Sequence, residues 1–295
     1  MIIKGITALI KKDFVEIEKS PLFYILIIIW AFASLLVGVY IFTSDKGNTI
    51  ILLVYKYISE LTYVSIIFYI VPAIIIPLDF ENKMVYIFKN INLRFYMFFL
   101  SKIISIIIFY TLLIAISFLS FFIMYISFHF HSLTMGNLYN IAGAFTKIYI
   151  PLLFILLPVT AFIVLMAYIF LKRSDSIIIA SFLFVVSSYF LGTLIVGYQI
   201  NNEVGHTAFY SVPYLLYPVL LISPMYITGF IAETLKIPDV NEIIIHSKNG
   251  SRILINPPFF NSFLHFYGYL QLVLLIFVIL IVIAYFVARR RFEYE

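Results

Sequence analysis

Cysteine is absent from this 295-residue sequence and charge is scarce, with Asp, Glu, Lys and Arg making up 11% of it. The first absence excludes a disulfide framework, a thiolate metal site and a cysteine nucleophile. The second excludes an ordinary soluble domain, in which about a quarter of residues are charged. Whole motifs are missing too. The chain has no GxxxxGK[ST] phosphate loop, no HExxH, no GxSxG and no aspartate-rich cluster suited to magnesium and a diphosphate. Energy for any uphill step must therefore come from another chain.

What fills the sequence is apolar surface: 64% of residues are hydrophobic and 19% aromatic. That composition is expected of an integral membrane protein. The net charge of +5 then reports which side of the bilayer each cation occupies, not affinity for nucleic acid.

A helix crossing the hydrocarbon core needs about 20 apolar residues, because at that length it satisfies its own backbone hydrogen bonds. Runs nearly free of charge place six crossings at 21–43, 56–78, 103–127, 148–171, 176–198 and 266–288. The stretch 214–235 is long enough to span, but Pro218 and Pro224 interrupt it. Six crossings put Lys4, Lys11, Lys12, Lys19, Lys83, Lys89, Arg94, Lys102, Lys172, Arg173, Arg289, Arg290 and Arg291 on one side. This obeys the positive-inside rule and sets both termini in the cytoplasm of a multi-pass cell-membrane protein. A seventh crossing would put the final arginines outside, so 214–235 is expected to be re-entrant or interfacial.

Residues 3–19 carry Ile3, Ile6, Ile10, Phe14 and Ile17 at helical spacing, with Lys4, Lys11, Lys12 and Lys19 on other faces. That pattern predicts an amphipathic helix lying in the interface, turned into the first crossing by Ser20 and Pro21. Residues 242–256, "EIIIHSKNGSRILIN", place two β-branched runs around Asn-Gly, a hairpin signal. The segment 199–265 is thus expected to form an extracellular cap from a helical piece and a small β-hairpin. The fold class is an all-α membrane protein of one domain, 1–295, carrying that cap.

Ionisable groups sit at the expected span ends: Lys56 and Glu60 at i, i+4, and His265 at the start of the sixth. An interfacial salt bridge and a snorkelling imidazole account for them. An ion-coupled secondary transporter, in which Glu60 or His265 titrates, is the first alternative reading. His129 and His131 lack a neighbouring Cys, Asp or Glu, so no metal site is assigned. A membrane receptor or enzyme with a ligand-binding cap is the other alternative.

Six of the chain's charged residues fall within 79–102, "DFENKMVYIFKNINLRFYMFFLSK". The segment is amphipathic and too long for a turn, so a short helix at the inner interface is expected, with Lys83, Lys89 and Arg94 toward the cytosol.

The order of these parts resembles the ABC-2 type permeases, membrane subunits of ATP-binding cassette transporters, over nearly the whole chain. The resemblance rests on an elbow helix ("ALIKKDFVEIEKSPLF", 8–23), six crossings, and a cytoplasmic segment between the second and third. That segment runs from a loop Glu, here Glu81, to a Lys heading the third crossing, here Lys102. "LISPMY", 221–226, is similar to an L-N/S-P element that follows the fifth crossing. Met84, Val85 and Asn92 stand where the family often has Gly-Thr and Pro.

The resemblance implies a dimer with itself or a related permease, bound to two cytosolic ATPase subunits that hold ATP and magnesium. In that reading Glu81, Lys83, Lys89, Arg94 and Lys102 form the coupling segment, and Lys4, Lys11, Lys12 and Lys19 anchor the elbow to membrane lipid. The chain itself is no enzyme and carries no cofactor. Its cargo is expected to be a hydrophobic or amphipathic peptide, lipid or drug-like molecule, exported through spans that offer Ser, Thr, Tyr and Phe.

Overall fold

The computed structural model describes residues 2–44, 49–91, 93–130, 134–186, 243–246, 252–255 and 263–294. The first helix, α1 (Ile2–Glu18), buries Leu9, Asp13 and Ile17, one residue per turn along a single stripe. Phe14 beside that stripe stacks on Phe109 at 4.7 Å. Pro21 opens α2 (Pro21–Ser44), where its missing N–H costs nothing. The Ser20 carbonyl accepts from Phe23 N at 3.1 Å, closing the corner between the two helices.

α2 packs against α6 (Phe95–His129). Ser34 and Gly38, four residues apart, are buried on the same side of α2. A Cβ at Gly38 would lie 2.7 Å from Met124 Cγ, so glycine sets how closely the helices approach there. Trp30 ties the pair together by donating to the Leu113 carbonyl at 2.9 Å.

Between α2 and α6 the chain forms α3 (Ile50–Tyr63) and α4 (Ile66–Glu81), which meet at a 53° bend. A break inside an apolar run needs its carbonyls satisfied locally. Thr62 donates to the Ser59 carbonyl at 2.7 Å and Ser65 to the Thr62 carbonyl at 2.6 Å. Pro72 within α4 has no N–H for the Phe68 carbonyl. The Tyr110 hydroxyl of α6 donates to that carbonyl at 2.6 Å.

Lys83, in the left-handed region at φ 55°, turns the chain into the short helix α5 (Met84–Asn90). Beyond α6, Thr134 caps α7 (Met135–Phe170) by accepting from Asn137 N at 3.2 Å. Leu171 at φ 57° ends α7 and leads into α8 (Arg173–Val185). The last helix, α9 (Phe263–Tyr294), packs along α7, while α4 packs on both α7 and α8. Strands β1 (Ile243–His246) and β2 (Arg252–Ile255) pair antiparallel, with Ile243 opposite Ile255 and His246 opposite Arg252.

Among the described residues, α2 and α6 are each long and apolar enough to cross a bilayer, and the bent pair α3–α4 makes a third candidate if counted as one span. Several boundaries depart from expectation, and the helix expected from 148 begins at Met135. The crossing expected at 56–78 is two helices with a break after Tyr63, held open by the Thr62 and Ser65 hydroxyls. The helix expected from 103 begins at Phe95, so Lys102 lies two turns inside it. Much of 176–198 and of the expected cap, including "LISPMY", lies outside the described residues.

Candidate functional site

Two carboxylates and a lysine are buried together where α1, α4 and α6 meet. Lys102 Nζ lies 2.6 Å from Asp13 Oδ1 and 2.5 Å from Asp79 Oδ2, and all three side chains are at most 2% exposed. Ser105, one turn along α6, donates to the other Asp13 oxygen at 2.9 Å. Lys12 reaches the cluster from its edge. It pairs with Asp79, lies 2.9 Å from Glu16 Oε2 and 3.9 Å from Asp13 Oδ1. Both ammonium groups also rest over aromatic rings, Lys102 over Phe98 at 5.6 Å and Lys12 over Phe88 at 5.1 Å.

Helical spacing explains the assembly. Asp13 follows Leu9 by one turn and precedes Ile17 by one, so burying the apolar stripe of α1 buries Asp13 with it. Lys102 and Ser105 share a face of α6 at i, i+3 and meet Asp13 there. Asp79 arrives from the last turn of α4 because α5 reverses the chain between α4 and α6. A buried charge costs several kcal/mol unless it is paired, and here each has an oppositely charged partner.

The ligand oxygens of Asp13, Glu16 and Asp79 lie within 4.8 Å of one another. Such a set could hold a cation, but the Lys12 and Lys102 ammonium groups already fill that role. Three carboxylates against two ammonium groups leave one net negative charge in the cluster. Nearby, the Tyr168 hydroxyl is buried with no hydrogen-bond partner among the described residues.

The residues singled out from sequence divide into three groups. Lys12 and Lys102 come together in the buried cluster, whereas Lys4 and Lys11 on α1 and Lys19 just after it remain exposed. Glu81, Lys83, Lys89 and Arg94 surround α5. Glu81 Oε1 accepts from Arg173 N at 2.6 Å and its other oxygen pairs with the Arg173 side chain, joining the end of α4 to the start of α8. Lys89 donates to the Glu293 carbonyl at 3.3 Å and lies 5.9 Å from the Phe292 ring, joining α5 to the end of α9. Lys83 and Arg94 are exposed at the two ends of α5. His129 stacks on Tyr125 at 4.8 Å, and His131 lies outside the described residues.

Asp13 and Asp79 were not singled out from sequence. For Asp13 a signal existed, a carboxylate between Leu9 and Ile17 on an otherwise apolar stripe. Asp79 carried none, because its partners come from helices before and after it.

Three helices share one ionic clasp, so moving any one of them against the others leaves a buried charge unpaired. No protein-family model and no curated protein matches the chain.

Proposed function

We propose that this chain is the membrane subunit of an ATP-driven exporter of the ABC-2 permease type. It crosses the bilayer six times with both termini cytoplasmic, and works with a second permease copy and two cytosolic ATPases that hold ATP and magnesium. The observation that carries the reading is Lys102 bridging Asp13 and Asp79, which clasps the elbow-like α1 to the helices on either side of α5. Lys83 and Arg94, exposed at the ends of α5, offer cationic contacts to a docking partner. Motion imposed on α5 by ATP-driven closure would pass through the clasp into α6 and α1 together. The absence of any phosphate-binding loop in the chain agrees with energy arriving from outside.

One observation favours a second reading, an ion-coupled carrier: the cluster holds one carboxylate more than its ammonium groups neutralise. The two readings part in one experiment. The chain is purified from its native membrane and assayed in vesicles. The permease reading expects a co-purifying ATPase whose hydrolysis depends on this chain and is uncoupled from transport by Lys83→Glu with Arg94→Glu. A chain that purifies alone and transports under an ion gradient without nucleotide overturns it.

A further inference from the structure

The bend between α3 and α4 opens a narrow, half-open cleft of about 50 Å³ against α6 and α7. Trp30, Phe68 and Ser117 are buried at its floor, and the half-buried Ser65, Tyr149 and Leu152 stand at its mouth. Trp30 is nine residues into α2, which at 1.5 Å per residue places it about 14 Å from the start of that helix, near the middle of a hydrocarbon core about 30 Å thick.

The chemistry of the walls is restrictive. Among the described residues, no charged side chain lines the cleft. Every side-chain polar hydrogen that these residues offer is already spent. Thr62, Ser65 and Ser117 donate to the carbonyls of Ser59, Thr62 and Leu113, and Trp30 Nε1 donates to Leu113 as well. Thr111 gives its proton to the Ile107 carbonyl, so the Tyr149 hydroxyl donates to Thr111 at 2.8 Å. A peptide entering here would bury carbonyls with no donor to meet them. An alkyl chain loses nothing.

We propose that this cleft is a binding site for an uncharged alkyl chain, supplied either by a bilayer lipid or by an alkyl-bearing cargo. That its occupant is cargo rests on the permease reading; that an alkyl chain binds does not. Between the peptide, lipid and drug-like classes open to such an exporter, the cleft selects lipid-like molecules.

The test is photolabelling of the full chain in phosphatidylcholine nanodiscs, with no ATPase present. Two probes are used, a phosphatidylcholine with a diazirine midway along one acyl chain and a diazirine-bearing hexadecanol. Labelled residues are mapped by mass spectrometry. Label is expected at Ile58, Leu61, Ile148 or Leu152, and Ile148→Trp, which fills the cleft, is expected to reduce it by about tenfold. Labelling of lipid-facing Ile28 and Phe32 on α2 should not change. Leu152→Trp, at the mouth, serves if Ile148→Trp does not fold. Cleft labelling by both probes, or by hexadecanol alone, supports a site open to single-chain cargo, and labelling by phosphatidylcholine alone supports a bilayer lipid. Label confined to outward faces, or equal in wild type and both variants, overturns the proposal. Because ATPase co-purification is measured separately, either reading can fail without the other.

Discussion

Lys102 donates to Asp13 at 2.6 Å across 89 residues of sequence, with both side chains buried. A pairing of this kind does little for net stability compared with apolar packing of the same volume, but it is intolerant of losing one member. It therefore works as a register device. Helix α1 can rest on α6 in any orientation that buries Leu9 and Ile17, and only one also brings Asp13 to Lys102 and Ser105.

Lys102→Met leaves Asp13 with Ser105 and the 3.9 Å approach of Lys12, and is expected to destabilise the protein by about 3–5 kcal/mol. Asp79 keeps its Lys12 partner. Adding Asp13→Leu to Lys102→Met removes the stranded carboxylate, so the double variant should recover most of the loss. Denaturation of the purified protein in mixed micelles measures both. An unchanged midpoint for Lys102→Met would show that the clasp contributes nothing.

The exposed pair at the start of α8 behaves differently. Glu81 accepts from the Arg173 backbone N–H as well as from its side chain, so it caps the helix. Glu81→Ala is expected to cost about 1 kcal/mol, the usual loss of an N-terminal cap. Arg173→Ala keeps the capped N–H and loses only a surface ion pair, for about 0.5 kcal/mol or less. Equal losses in the same denaturation assay would contradict the capping role.

Much of the helical framework was legible because its signals are local. The apolar stripe of α1 and the Ser20-Pro21 corner placed a helix at 3–19 and another from 21, against the observed Ile2–Glu18 and Pro21–Ser44. The break after Tyr63 was not legible, since no glycine or proline marks it and its stability comes from hydroxyl-to-carbonyl bonds that composition cannot reveal. The candidate site was half legible. Lys12 and Lys102 stood out as cations in an apolar chain, and the positive-inside pattern gave each a role at the surface. Their burial depends on Asp13 and Asp79, which reach them only after α5 has reversed the chain. A sequence shows charges and their spacing along one helix, not the partners supplied by others.

Around α5 the cations separate into one that is held and two that are exposed. Lys89 is bonded to the Glu293 carbonyl, whereas Lys83 and Arg94 are exposed. Lys83 also occupies the left-handed region at φ 55°, which costs a non-glycine residue about 1–2 kcal/mol. Lys83→Gly relieves that cost while making the unfolded chain looser, and is expected to change stability by less than about 0.5 kcal/mol. It still removes an ammonium group, so under the permease reading ATPase stimulation should fall while the denaturation midpoint stays put. Lys89→Ala is expected to move both. A Lys83→Gly variant with wild-type stimulation would remove Lys83 from the docking surface.

The Tyr110–Phe68 bond allows a cleaner test, because its cause is a single residue. Pro72 cannot donate to the Phe68 carbonyl, and Tyr110 does so from the neighbouring helix. Tyr110→Phe keeps the ring against Phe68, 5.2 Å away, and removes only the donor. In an apolar interior the orphaned carbonyl is expected to cost about 1–3 kcal/mol. Pro72→Ala restores the helical N–H, so in that background the Tyr110 hydroxyl is partly redundant and Tyr110→Phe should cost less than half as much. The Thr160 hydroxyl, 2.9 Å from Tyr110, donates to the Leu156 carbonyl in both backgrounds and cancels from the comparison. The four proteins make a double-mutant cycle whose coupling term isolates this one carbonyl. A coupling near zero would mean that Tyr110 stabilises the helix pair through its ring alone, and that Pro72 has no need of its neighbour.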